Sequence, residues 1–240
     1  MLLRLPTSVS EARECLAEGA VPIGGATLLW AEWQRDGFPA LAMSLREVPE
    51  AVALGRGTLG AAVVLHRIDD RVPDVLRLAA ASVGTGAVRR AATVGGNLVG
   101  STLRCLLPAV LVLEARASVL GPDGVRESDL SEVTAKRPLL LGLRWREPVS
   151  SAYRKLPADP GGRPPLTVSV ALHADAPGPQ RLRVAVRDGY EVLDGSAPYD
   201  DDPDTTLHTL RATALRDLPE GAWDAVDAQV GEVLRAADDG

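Results

Sequence analysis

The 240-residue sequence predicts an α+β fold in two domains, and three observations predict it. A short apolar strand from Ala20 to Ile23 runs into Gly24-Gly25, and apolar residues at helical spacing follow from Leu28 to Trp33, which makes a small α/β unit. Strand-like runs at 116–120 and 139–145, with the tight-turn sequence Gly121-Pro122-Asp123-Gly124 between them, point to a larger mixed sheet with helices. Beyond a polar break at 147–152, strands at 166–173 and 181–187 lead to an amphipathic helix over 219–237. The first domain therefore spans 1–148, with parts at 1–55 and 56–148, and the second spans 149–240.

In chain order, Ser8 and Glu11 give a capping-box pattern to a helix over 8–19, with Ala12, Cys15 and Leu16 on its inner face and Gly19 to stop it. Helix 28–36 takes Thr27 as its N-cap and places Trp30 and Trp33 on one packing side. Residues 40–45 and 59–65 read as strands, and His66 follows the second with no acid or nucleophile paired to it. Helix 73–82 turns Val75, Leu76 and Leu78 to Ala81 inward. Pro108 interrupts a helix over 101–114. The last helix aligns Ala222, Val226, Val230, Val233 and Leu234 along one face, and the acidic run Asp200 to Asp204 reads as a solvated loop.

Composition narrows the function. A hydrophobic content of 46% is enough for a sizeable core, and a formal charge of −6 argues against nucleic acid or an anionic membrane as partner. The two cysteines, Cys15 and Cys105, form neither a disulfide framework nor a metal cluster, and an iron–sulfur centre typically needs about four thiolates. The N-terminal run is too short for a signal peptide, and Leu106 to Leu113 falls far below the ~18 residues of a membrane span, so a soluble, cytoplasmic protein is expected. No G-x-S-x-G, H-E-x-x-H or Cys/His cluster is present, so no catalytic residue and no metal ligand is assigned. Any chemistry must come from a bound cofactor.

The stretch that could hold one runs from Val83 to Leu98, with four glycines, Gly84, Gly86, Gly95 and Gly96, inside thirteen positions. It predicts bends at Gly84-Thr85-Gly86 and at Gly95-Gly96, with Ala92-Thr93-Val94 extended between them. Bare N–H groups at Gly95 and Gly96, with Asn97 as side-chain donor, suit a phosphate, and a helix N-terminus at 101 would add positive charge. Arg89 and Arg90 face either a phosphate or simply solvent, and for a surface pair solvent is the favoured reading. A second such place is the strand, glycine turn and helix start at Ile23-Gly24-Gly25-Ala26-Thr27. It lacks the third glycine of the G-x-G-x-x-G fingerprint.

Pro22 to Thr27, Ala87 to Leu98 and Leu107 to Leu111 together resemble the FAD-binding subunit of molybdenum hydroxylases, such as CO dehydrogenase and xanthine dehydrogenase. Ser151 to Leu156 resembles the opening of that family's C-terminal domain. The resemblance implies a two-part FAD-binding domain followed by a small α+β domain with an antiparallel sheet and helices. It also implies a helix that restarts at Pro108. The cofactor implied is FAD, with Ile23, Gly24, Gly25, Ala26 and Thr27 on one side of its pyrophosphate and Thr93, Val94, Gly95, Gly96 and Asn97 on the other. Lys155 matches a family lysine near the flavin. The activity implied is that of an oxidoreductase passing electrons from iron–sulfur and molybdenum partner subunits to an acceptor, or of a stand-alone flavoprotein with a small-molecule substrate, either of them able to form homo-oligomers.

Three departures from the family fall on the flavin side. Cys105, beside Arg104, stands where relatives carry an Asp. The loop between Asp129 and Leu139 is shortened, and Pro157 to Gly162 replaces a charged stretch. Two alternatives therefore stay open: an enzyme that uses the old pocket for non-redox chemistry such as cyclisation in secondary metabolism, and a cofactor-free scaffold.

Overall fold

The computed structural model describes residues 1–157, 161–174, 178–199 and 202–238. It divides the chain into two compact units, each α+β as expected. The first takes Met1–Val72, Val83–Cys105 and Ala115–Trp145, and the second takes Pro73–Ser82, Leu106–Glu114 and the chain from Arg146 onward.

The first unit opens with a small parallel sheet in which Leu41–Met43 lies between Leu2–Arg4 and Val21–Pro22. Helices Val9–Ala17 and Leu29–Asp36 connect the strands. Ser8 caps the first helix by accepting the Glu11 N–H at 3.2 Å. The Glu11 carboxylate reaches one residue further back than a capping box requires and accepts the Thr7 N–H at 2.8 Å, which holds its pKa below the usual range. Gly19, at φ 83°, ends the turn that follows, and Cys15 packs with Ala20 and Met43 in a small core. The second helix differs from expectation in two ways. Its N-cap is Leu28 without a side-chain bond, so Thr27 does not cap it. Only Trp33 is buried; Trp30 is 52% exposed and meets Phe38 edge-on.

The larger sheet of this unit runs in the order Leu54–Gly55, Thr58–Gly60, Leu139–Arg144, Arg116–Gly121, Gly124–Ser128, antiparallel throughout. The expected hairpin closes at Gly121–Gly124, with Gly124 at φ 116°. The strand expected over 59–65 stops at Gly60. A Cβ there would overlap the Ala51 carbonyl, and beyond it Ala62 donates its N–H to Ala51, so the chain peels away into a short 3₁₀ turn, Leu65–Arg67. His66 lies exposed in that turn. Three helices of this unit were not foreseen: Pro49–Val52, Gly86–Ala91, capped by Thr85 Oγ1, and Leu130–Lys136, which fills the shortened loop.

The second unit is a four-stranded antiparallel sheet in the order Glu191–Tyr199, Gln180–Asp188, Thr167–His173, Ser150–Lys155. Strand alternation puts Val168, Val170, Leu172, Leu182, Val184 and Val186 on one face. That face packs on the final helix, Glu220–Asp238, through the five apolar positions its period predicted. Helices Asp74–Ala81 and Leu107–Val112 cover the opposite face, tied by a Val75 N–H to Ser151 Oγ bond and by His173 Nε2 at 2.7 Å from the Val112 carbonyl. In the first of these helices Val75, Leu76, Ala79 and Ala80 are buried, while Leu78 and Ala81 face out. The expected helix over 101–114 forms only as Leu107–Val112, with Pro108 in its first turn, where a missing N–H costs no bond. Of the acidic run, Asp200 and Asp201 lie outside the described residues, as do 158–160, while Asp202 caps helix Pro203–Arg211.

Among the described residues no helix is long and apolar enough to cross a membrane, and no cluster of His, Cys, Asp or Glu could hold a metal.

Candidate functional site

The first glycine loop follows the edge strand Val21–Pro22. Ile23 still donates its N–H to Met43 at 2.8 Å, and Gly24-Gly25 then turn the chain out of the sheet. Ala26 follows at φ 52°, a left-handed conformation that an alanine rarely adopts. Its carbonyl accepts the Trp30 N–H at 3.0 Å and so starts the helix. Among the described residues, the N–H groups of Gly24, Gly25, Ala26 and Thr27 find no protein acceptor. Four successive free donors in a bend make a ready anion site.

The second loop is built differently. Thr93 is 6% exposed and acts as a cap: its carbonyl accepts the Asn97 N–H at 2.9 Å and its Oγ1 accepts the Gly96 N–H at 3.1 Å. Val94 donates to Val63 at 3.0 Å and Gly95 to Ala61 at 2.8 Å. The chain then makes one wide turn, Gly96–Gly100, closed by Ser101 N–H to the Gly96 carbonyl at 3.0 Å. The expected bare N–H groups at Gly95 and Gly96 are therefore already engaged, the first by the Ala61 carbonyl of the segment alongside and the second by Thr93 Oγ1. No helix starts at 101 to add charge. Arg89 does not simply face solvent: its Nη1 donates to the carbonyls of Val83 and Gly84, each at 3.0 Å.

The two loops touch. A Cβ on Gly25 would overlap the Ala91 carbonyl oxygen, and one on Gly24 would overlap Thr93 Oγ1. These glycines therefore allow one loop to lie on the other. The structure thus brings Gly24 against Thr93 and Gly25 against Ala91 and Ala92 within the first unit.

Lys155 belongs to the second unit. Its Nζ donates to the Ser82 carbonyl at 2.9 Å, and Ser82 Oγ lies 2.8 Å from the Tyr153 hydroxyl. Ser82 is the C-cap of helix Asp74–Ala81, so the end of that helix fixes both side chains. Half-buried Cys105 follows Arg104, which sits at φ 41° and donates to the Thr134 carbonyl at 2.9 Å. Sequence reasoning missed the carbonyls of Ala61 and Val63 and the Ser82 tie. Backbone acceptors have no side-chain signature, and Ser82 lies far from Lys155 in sequence.

A family model described as the FAD binding domain in molybdopterin dehydrogenase matches residues 3–140. Among solved structures, quinoline 2-oxidoreductase from Pseudomonas putida 86 aligns at 19% identity with a TM-score of 0.69, covering 98% of this chain and 96% of that one. CO dehydrogenase from Oligotropha carboxidovorans aligns at 21% identity with a TM-score of 0.67, over 89% of this chain and 81% of that one. A third, a carbon monoxide dehydrogenase from Hydrogenophaga pseudoflava that lacks its Mo-pyranopterin moiety, aligns at 18% identity and a TM-score of 0.65, over 98% and 96%. At these identities the likeness is one of fold. No curated protein matches the chain.

Proposed function

The chain belongs to the FAD-binding domain family of molybdopterin dehydrogenases, and from that premise we propose that it is an FAD-carrying electron-transfer subunit. The observation that supports this most is the row of four unengaged N–H groups from Gly24 to Thr27, which fits the anionic oxygens of a pyrophosphate. The second loop supports the first as a brace, with Thr93 holding its own turn closed and standing against Gly24. Within the second unit, Lys155 is steadied by the Ser82 carbonyl. Bound FAD would supply the redox step, taking electrons from one partner and delivering them to another. On this reading the electrons would come from partner chains that carry iron–sulfur and molybdenum centres. The proposed setting is the cytoplasm.

The test is the visible absorption spectrum of the purified protein, before and after adding FAD and passing it through gel filtration. A retained flavin band is expected in the wild type. Thr27→Glu places a carboxylate on the exposed rim of the free donors, removes no cap, and should abolish retention with the melting temperature unchanged. A colourless protein that retains no added FAD would overturn the proposal.

A further inference from the structure

We propose a second ligand site in the first unit, between helix Val9–Ala17 and the hairpin turn at Gly121, that takes a small monocarboxylate with an apolar body. A cavity of about 560 Å³ opens there, within the size range of small-molecule sites. Its floor is apolar, formed by Leu16, Pro22, Leu120 and Leu139. Arg13 and Arg137 stand in its wall.

The side chains of Arg13 and Arg137 meet no acid or other acceptor among the described residues, as is also true of Arg56, Arg67, Arg90, Arg144 and Arg154, and both are exposed at the rim of the cavity, open to a ligand from solvent. Glu14 also lines the cavity, so two guanidinium groups and one carboxylate leave a single net positive charge. That balance suits one carboxylate rather than a polyphosphate, and a guanidinium fork is the side chain best shaped to hold it.

The backbone supplies an independent observation. Arg137 ends helix Leu130–Lys136 in the left-handed conformation, at φ 50° and ψ 51°. Helix ends of this kind are ordinarily glycine, which adopts the conformation without steric penalty. The conformation is disfavoured for an arginine, and here it belongs to a residue that lines the cavity. Ile23 to Thr27 and Thr93 to Asn97 do not line the cavity, and only Pro22, the residue before the first loop, does.

The experiment is calorimetric titration of the full chain with octanoate and 2-naphthoate, each compared with its uncharged amide. At least one carboxylate should bind saturably with one site per chain, and its amide should bind about tenfold more weakly. Arg137→Gly removes the guanidinium and relieves the backbone, so it should lower affinity about tenfold without lowering the melting temperature. FAD retention should not change in this variant, so the result stands whether or not the chain proves to bind flavin. Three results would overturn the site: no saturable carboxylate binding up to about 10 mM, equal binding of acid and amide, or undiminished binding in the Arg13→Gln/Arg137→Gln variant.

Discussion

In the loop at Ile23–Thr27 four consecutive N–H groups have no protein acceptor, whereas in the loop at Thr93–Asn97 each N–H from Val94 to Asn97 is bound, to Val63, Ala61, Thr93 Oγ1 and Thr93 O in turn. Both loops are glycine-rich, both follow extended chain, and both lead into helical turns. The difference lies in what runs beside them. The first leaves an edge strand, and among the described residues no carbonyl accepts its N–H groups, while the second is flanked by residues 61–63. Glycine in the pair therefore has two uses. At Gly24 and Gly25 it lets two backbones meet, and only in the first loop does the bend also leave donors for a ligand.

The sharpest way to break this comparison is at the contact itself. Gly25→Ala drives a methyl into the Ala91 carbonyl and should cost about 2–3 kcal/mol in denaturant unfolding followed by circular dichroism. Gly96→Ala, whose methyl would stand 3.1 Å from Thr93 Oγ1, should cost less than about 1 kcal/mol. Equal costs would mean that the loops do not touch as described.

Thr93→Val comes next. It keeps the shape of the contact but removes the acceptor for the Gly96 N–H, so a loss of about 1–2 kcal/mol is expected, with Thr93→Ser recovering most of it. A smaller and opposite effect is expected at Ala26. Glycine there relieves the left-handed strain at φ 52°, so Ala26→Gly should raise stability by up to about 1 kcal/mol in the same assay. A fall would show that the alanine is not strained in solution.

The smallest effect concerns the helix that fills the shortened loop. Arg126, then Ser128 and Lys136, hold the Glu132 carboxylate down to about 2 from an ordinary 4.5. Because the folded value lies below the unfolded one, this contribution is complete above pH 4.5 and is lost as pH falls towards 2. Glu132→Gln should therefore narrow its stability gap to the wild type across that window, read as urea midpoint against pH. A gap that stays constant with pH would remove the charge from the account.

What the sequence made legible was local. The capping serine at 8, the stop at Gly19, the hairpin at Gly121–Gly124 and the five-residue face of the last helix all depend on near neighbours, and each formed as expected. Three features were hidden. Helix Gly86–Ala91 looked like a bend because its first residue is glycine, although Thr85 was in place to cap it. The strand at 59 ended early because the Ala51 carbonyl crowds Gly60. In the second loop the donors of Val94 and Gly95 depend on carbonyls brought in by tertiary structure, which no residue pattern encodes, while those of Gly96 and Asn97 go to the local cap Thr93. The glycine positions of the site could be seen in advance, but their division of labour could not.

Residue-resolved amide hydrogen exchange, with and without FAD, tests that division most directly. Without ligand, the amides of Gly24 to Thr27 should exchange fast and those of Val94 to Asn97 slowly, and adding FAD should protect the first group while leaving the second as it was. Slow exchange at Gly24 to Thr27 before FAD is added, or protection on addition confined to Val94 to Asn97, would contradict the account.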